Sequence, residues 1–207
     1  MLGSCSKNKS VPISNMKRLF DITASALGLL ALSWLILLAW VIASVDTRAN
    51  GFFMQQRVGR HGKLFSVVKI RTMRLDVAHH THVTQANDPR ITRMGAFFRR
   101  TKIDELPQLW NVFVGDMSFV GPRPDVPGYA DQLPEAEREL LLSVRPGITG
   151  PATLAYRHEE QLLAQQADPQ RYNDEVIYPD KVRINLDYIR QWRFRDDLRY
   201  ILKTVFG

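Results

Sequence analysis

The chain has 207 residues, enough for one domain with a real core, and its 28 Lys and Arg against 21 Asp and Glu leave a formal charge of +7. The single cysteine, Cys5, excludes an internal disulfide framework and fits a reducing compartment. The basic balance points to phosphate-bearing partners, whether nucleotides, nucleic acid or anionic lipid, without choosing among them.

Residues 1–20 are polar and basic, with Lys7, Lys9, Lys17 and Arg18. Leu2-Gly3-Ser4-Cys5 has the look of a lipoprotein cleavage box, but no apolar segment precedes it and it reads as accidental. Ile22 to Val45 carries one charge-free apolar run, longer than the roughly 18 residues that mark a membrane candidate. A signal peptide would need a shorter basic region and a shorter apolar core. A simple spanning helix gathers positive charge on its cytoplasmic flank. Here both flanks are basic: Lys17 and Arg18 before, then Arg48, Arg57, Arg60 and Lys63 after. A segment that enters the membrane, turns and leaves on the same side would remove that conflict. Ser33, near the middle, could satisfy a backbone group freed by a break. Flank charge alone leaves spanning and re-entry open.

Residues 52–73 predict a β-hairpin, since two runs of strand formers flank Gly59-Arg60-His61-Gly62. Alternation puts Lys69 and Arg71 on one strand face. Residues 74–90 read as a loop, and its His79, His80 and His82 have no companion ligands at the usual zinc spacing. Met94, Phe97 and Phe98 give helical spacing over 91–98. Leu106, Leu109, Trp110 and Phe113 give it again, with Pro107 placed in the first turn, where proline is tolerated. Asp104 and Glu105 therefore fall near a helix N-terminus. Free amides there suit a carboxylate as a cap, and they also suit phosphate. Arg99, Arg100 and Lys102 just upstream favour a site that gathers negative charge. Gly115 to Pro124 predicts a rigid irregular loop in which prolines hold Arg123, and Arg145-Pro146-Gly147-Ile148-Thr149-Gly150 predicts a second. Residues 135–144 and 158–167 predict surface helices, and 181–207 one or two amphipathic helices able to pack on the domain or lie on an anionic membrane.

Several motifs together resemble the bacterial sugar transferases, the monotopic phosphoglycosyl transferases. They are Lys17-Arg18-Leu19-Phe20-Asp21, Gln56-Arg57-Val58-Gly59, Lys69-Ile70-Arg71-Thr72-Met73, Asn87-Asp88-Pro89-Arg90-Ile91-Thr92, Asp104-Glu105-Leu106-Pro107-Gln108-Leu109, Gly115 through Pro124, and Arg145 through Gly150. The resemblance runs from about Lys17 to the C-terminus. It implies an α+β, mostly helical fold: a basic segment over 1–20, a re-entrant membrane helix over 21–45, and a cytosolic catalytic domain over 46–207 with a small hairpin and amphipathic interfacial helices. It implies transfer of a sugar 1-phosphate from a UDP-sugar to undecaprenyl phosphate at the bacterial inner membrane, on its cytoplasmic face, with release of UMP. This would be the first membrane step of O-antigen, capsule, exopolysaccharide or glycoprotein glycan assembly.

The resemblance further implies Mg²⁺ held by Asp104 and Glu105, and a covalent phospho-sugar on Asp104. Lys69, Arg71, Arg99, Arg123 and Arg145 would bind substrate, with membrane lipid as a further partner, no nucleic acid, and homo-oligomerisation left open. Direct transfer in a ternary complex and a membrane-anchored phosphate- or nucleic-acid-binding module are the alternatives. The chain departs from the family pattern at Trp34, where a proline commonly follows the serine, at Asn185, where an aspartate commonly precedes the tyrosine, and at Gly150-Pro151-Ala152-Thr153.

Overall fold

The computed structural model describes residues 15–75 and 88–207. The expected histidine loop at His79, His80 and His82 lies outside them, as do most of residues 1–20. The architecture is mostly helical, with two small two-stranded sheets.

The apolar run forms one uninterrupted helix, α1 (Asn15–Thr47). Nothing in it breaks helical geometry: proline is absent, and Ser33 Oγ donates to the Leu30 carbonyl at 3.1 Å while the backbone stays helical. Its buried residues form one stripe at helical spacing, Lys17, Asp21, Ser25, Ala39, Ala43 and Thr47. Its other faces are open, with Leu30 77% and Trp34 64% exposed. Among the described residues it is the one helix long and apolar enough to cross a membrane.

The expected hairpin is present. β1 (Phe52–Val58) pairs antiparallel with β2 (Leu64–Ile70) in a register that sets Phe53 opposite Lys69 and Arg57 opposite Phe65. Helix α2 (Arg93–Thr101) is capped at its start by Thr92, whose Oγ1 accepts from Gly95 N, and ends at Lys102 in the left-handed region (φ 59). After a 3-10 turn at Ile103–Glu105 comes α3 (Gln108–Val114). Asn111 of α3 ties that helix to the free edge of β2: its Nδ2 donates to Ser66 O at 2.8 Å and its Oδ1 accepts from Val68 N at 3.1 Å. Arg18 of α1 donates to the Val112 and Phe113 carbonyls at 2.7 and 2.9 Å, satisfying groups the α3 C-terminus leaves unpaired.

The two Gly/Pro-rich segments are not simply irregular. β3 (Ser118–Val120) and β4 (Gly147–Thr149) pair in parallel across α4 (Glu135–Leu142). The approach is close enough that a Cβ at Gly147 would lie 2.1 Å from Gly121 N, so glycine is required there. Then follow α5 (Pro151–Ala155), α6 (Glu159–Ala164), α7 (Pro169–Tyr172), a π-helical turn over Asn173–Ile177, α8 (Tyr178–Arg190) and α9 (Phe194–Phe206). The C-terminal stretch is thus two helices. The last of them closes on the first through a buried ion pair, Lys17 Nζ to Asp197 Oδ2 at 2.6 Å. Val120 O and the hydroxyl of Tyr188 also accept from Lys17, at 2.8 and 3.2 Å.

Candidate active site

Asp104 and Glu105 occupy the 3-10 turn between α2 and α3. Neither caps a helix: Pro107 stands at the N-cap of α3, and no side-chain capping bond is made there. The turn is held against β2, and that contact brings Lys69 to the dyad. Lys69 Nζ lies 3.2 Å from Glu105 Oε1, and Arg123 Nη2 reaches the same oxygen at 3.3 Å. The two carboxyls ionise differently. Burial opposes the Glu105 charge, but Lys69, Arg123 and Lys102 outweigh it and hold the carboxyl down at about 2. Asp104 is buried, and desolvation together with the neighbouring Glu105 charge raises it to about 6 against Lys69, Lys102 and Arg99. Asp104 Oδ1 is buried and meets no hydrogen-bond donor among the described residues.

The Pro-Arg-Pro loop that carries Arg123 is anchored on both sides. Gly147 N donates to Pro122 O at 2.8 Å, Val58 N to Asp125 O at 2.9 Å, and Arg57 Nη1 to Pro124 O at 3.1 Å. Between this loop and the hairpin runs a shallow, solvent-open cleft. Its hairpin wall presents Gln55, Arg57 and Lys69, and Gln108 and Arg123 also line it. Gln108 is buried, and its Nε2 has no partner among the described residues.

The other sequence-predicted residues lie as follows. Arg99 forms an ion pair with Glu160 through Nη2 at 3.2 Å, and its buried Nη1 has no partner among the described residues. Arg71 keeps to the Lys69 side, its guanidinium over the Phe53 ring, but its Nε donates to Asn50 O at 2.7 Å and its Nη2 to Phe52 O at 3.3 Å. Arg145 donates from Nε to Gly115 O at 2.8 Å and shares a separate cavity with Lys17, Asp21 and Trp192. The fold therefore gathers Asp104, Glu105, Lys69 and Arg123, and commits Arg71 and Arg145 to backbone carbonyls. Arg57 and Gln108 stand in the sequence motifs quoted above, but those motifs alone assign them no place in the site. Alternation along β1 carries the signal for Arg57, because hairpin register puts it on the Lys69 face.

Fold and site define a protein with a membrane-competent helix and a desolvated carboxylate pair at a cationic cleft, a setting for phosphate chemistry. Comparison with known proteins agrees. The bacterial sugar transferase family matches residues 13–207, and the chain belongs to that family. It is 39% identical over 196 residues to undecaprenyl-phosphate glucose phosphotransferase of Komagataeibacter xylinus, covering 91% of this chain and 35% of that protein. It is 35% identical over 204 residues to UDP-glucose:undecaprenyl-phosphate glucose-1-phosphate transferase of Escherichia coli K12, covering 94% and 41%. A putative undecaprenyl-phosphate N-acetylgalactosaminyl 1-phosphate transferase of Bacillus subtilis is 40% identical over 137 residues, covering 60% and 76%. The chain thus spans well under half the length of the first and second of these relatives and about three quarters of the third.

Proposed function

We propose that the protein transfers a sugar 1-phosphate from a UDP-sugar to undecaprenyl phosphate in two steps, through a phospho-sugar carried on Asp104. The carrying observation is the dyad itself: one carboxyl locked to Lys69 and Arg123, the other buried with a free oxygen. In the first step an Asp104 oxygen attacks the phosphorus that bears the sugar. The new P–O bond forms as the bond to the bridging oxygen breaks, and UMP leaves with that oxygen and its electron pair. In the second step an oxygen of the lipid phosphate attacks the same phosphorus and frees the Asp104 carboxylate. Lys69 and Arg123 face the charge on the phosphoryl oxygens, and Glu105 holds both cations in place. Two adjacent carboxylates, one with a free buried oxygen, fit the way Mg²⁺ binds one or two carboxylates plus phosphate oxygens. Held by Asp104 and Glu105, the ion would neutralise phosphoryl charge.

The same reading makes α1 an anchor held from one side of the membrane, without the internal turn expected at Ser33, because the helix is unbroken. Its buried positions lie at residues 17–25 and 39–47, all packed on one body. The stretch between them is roughly 13 residues, about 20 Å of helix. That is short of the ~30 Å hydrocarbon core. The catalytic domain then sits on the cytoplasmic face, where UDP-sugars are available, with the lipid acceptor in the adjoining leaflet.

The test is intact-protein mass spectrometry after incubation with Mg²⁺ and a series of UDP-sugars, without lipid. A mass increase of one phospho-sugar is expected, absent in Asp104→Asn, and the sugar that gives it names the donor. UMP release only after polyprenyl phosphate is added would show direct transfer instead.

A further inference from the structure

We infer that Arg57 is a further substrate-binding residue, and that it takes the phosphate of the nucleoside monophosphate that leaves the donor. This rests on the transferase reading above. On β1 the residues 53, 55 and 57 point to one side, the side on which β2 presents Lys69. That shared face is one wall of the cleft. Lys69 sits opposite Phe53 and is bonded to Glu105, so it marks the dyad end. Arg57 begins four residues further along β1, but its guanidinium is held beside the Arg123 loop, between Gln55 Oε1 and the carbonyl of Pro124, so it faces the phosphate next to the one at the dyad.

A donor with its sugar-bearing phosphorus at Asp104 would extend its nucleotide half along this wall. Arg57 is suited to meet it. Its guanidinium is half-buried and makes no ion pair among the described residues. Its Nη1 and Nη2 are fixed by Pro124 O and by Gln55 Oε1, the latter at 2.6 Å, so the fork is oriented before any ligand arrives. Asp125, the nearest opposite charge, accepts from the Tyr178 hydroxyl instead, at 3.4 Å. Burial disfavours the Arg57 charge and the neighbouring Arg123 charge adds to that, against Asp125; an anion at the guanidinium offsets both. When the bridging P–O bond breaks, the departing phosphate gains one negative charge, and Arg57 lies on the side to which that charge moves.

The experiment is calorimetric titration of the detergent-purified protein with UMP, comparing wild type with Arg57→Gln and Arg57→Lys. UMP avoids any need to know the sugar. Glutamine can still donate to Pro124 O but carries no charge. If Arg57 binds the anion, Arg57→Gln weakens UMP binding by about tenfold or more, the loss of one charge-assisted contact. Wild-type UMP affinity in Arg57→Gln would overturn the inference while leaving the transferase reading intact. A wild-type protein that binds neither UMP nor UDP would overturn the reading itself. Should Arg57→Gln not fold, Arg57→Lys decides. It keeps the charge and loses the fork that joins Gln55 to Pro124, so retained UMP binding upholds the inference and its loss assigns Arg57 to holding the loop alone.

Discussion

Two adjacent carboxyls in one short turn differ in ionisation because of what touches them. Glu105 receives two cations, and Asp104 receives burial and a negative neighbour. A third carboxyl, Asp125 beside the Arg123 loop, follows the Asp104 pattern. Burial outweighs the nearby Arg57 and Lys181 charges and the Tyr178 hydroxyl, and raises it to about 6. Folded Asp125 therefore keeps its proton to a higher pH than the unfolded chain, where the value is 3.8. Between those values the folded state binds more protons, so its stability falls as pH rises. Well above pH 6 the full cost applies, on the order of 3 kcal/mol. Asp125→Asn should thus gain thermal stability over wild type at pH 7.5 and lose that advantage at pH 4. Equal differences in melting midpoint at the two pH values would refute it. Glu105 and Asp104 titrate alike in both proteins and cancel from the comparison.

At the scale of elements, the site depends on α2 meeting the chain that leaves β2. Thr92 N donates to Thr72 O at 3.1 Å, and Met73 bridges to Ile91. Gly95 makes the approach possible, since a Cβ there would lie 2.0 Å from Thr72 O, a backbone atom. Gly95→Ala should destabilise the fold by roughly 1–3 kcal/mol, as overpacking does. It should also lower transfer activity in the protein that remains folded, because α2 ends at the dyad; an unchanged melting midpoint would remove this role. Much of this framework is legible in the chain. The hairpin follows from strand formers around Gly59 and Gly62, and α2 and α3 from apolar spacing. The β3–β4 pair is not legible, because three-residue strands among prolines and glycines show no alternation and their partner lies about 30 residues away. The site divides the same way. Asp104, Glu105, Lys69 and Arg123 stand out as charges in rigid or patterned segments. The commitment of Arg71 and Arg145 to backbone carbonyls depends on where the chain turns, which only the fold reveals.

At the scale of the molecule, α1 is bound to one body at both ends. Near its start, Lys17 is buried against Asp197, which also accepts from the Tyr188 hydroxyl and from Trp192 Nε1. Near its end, Ala39 and Ala43 pack with Ile70 and Phe98. A spanning helix would place Asn15 and Arg48 on opposite sides of the membrane and would tear one of these contacts away. Removing one partner of the buried pair, as in Asp197→Ala, would leave Lys17 charged and unpaired, at a cost of about 3–5 kcal/mol. Topology can be read without relying on activity. In a Cys5→Ser background, single cysteines at Asn15 and at Arg48 should both resist a membrane-impermeant maleimide in intact cells and both react once the inner membrane is opened. Labelling of one site in intact cells and protection of the other would establish a spanning helix. Both buried contacts could not then persist, and the one-sided anchor would have to be abandoned.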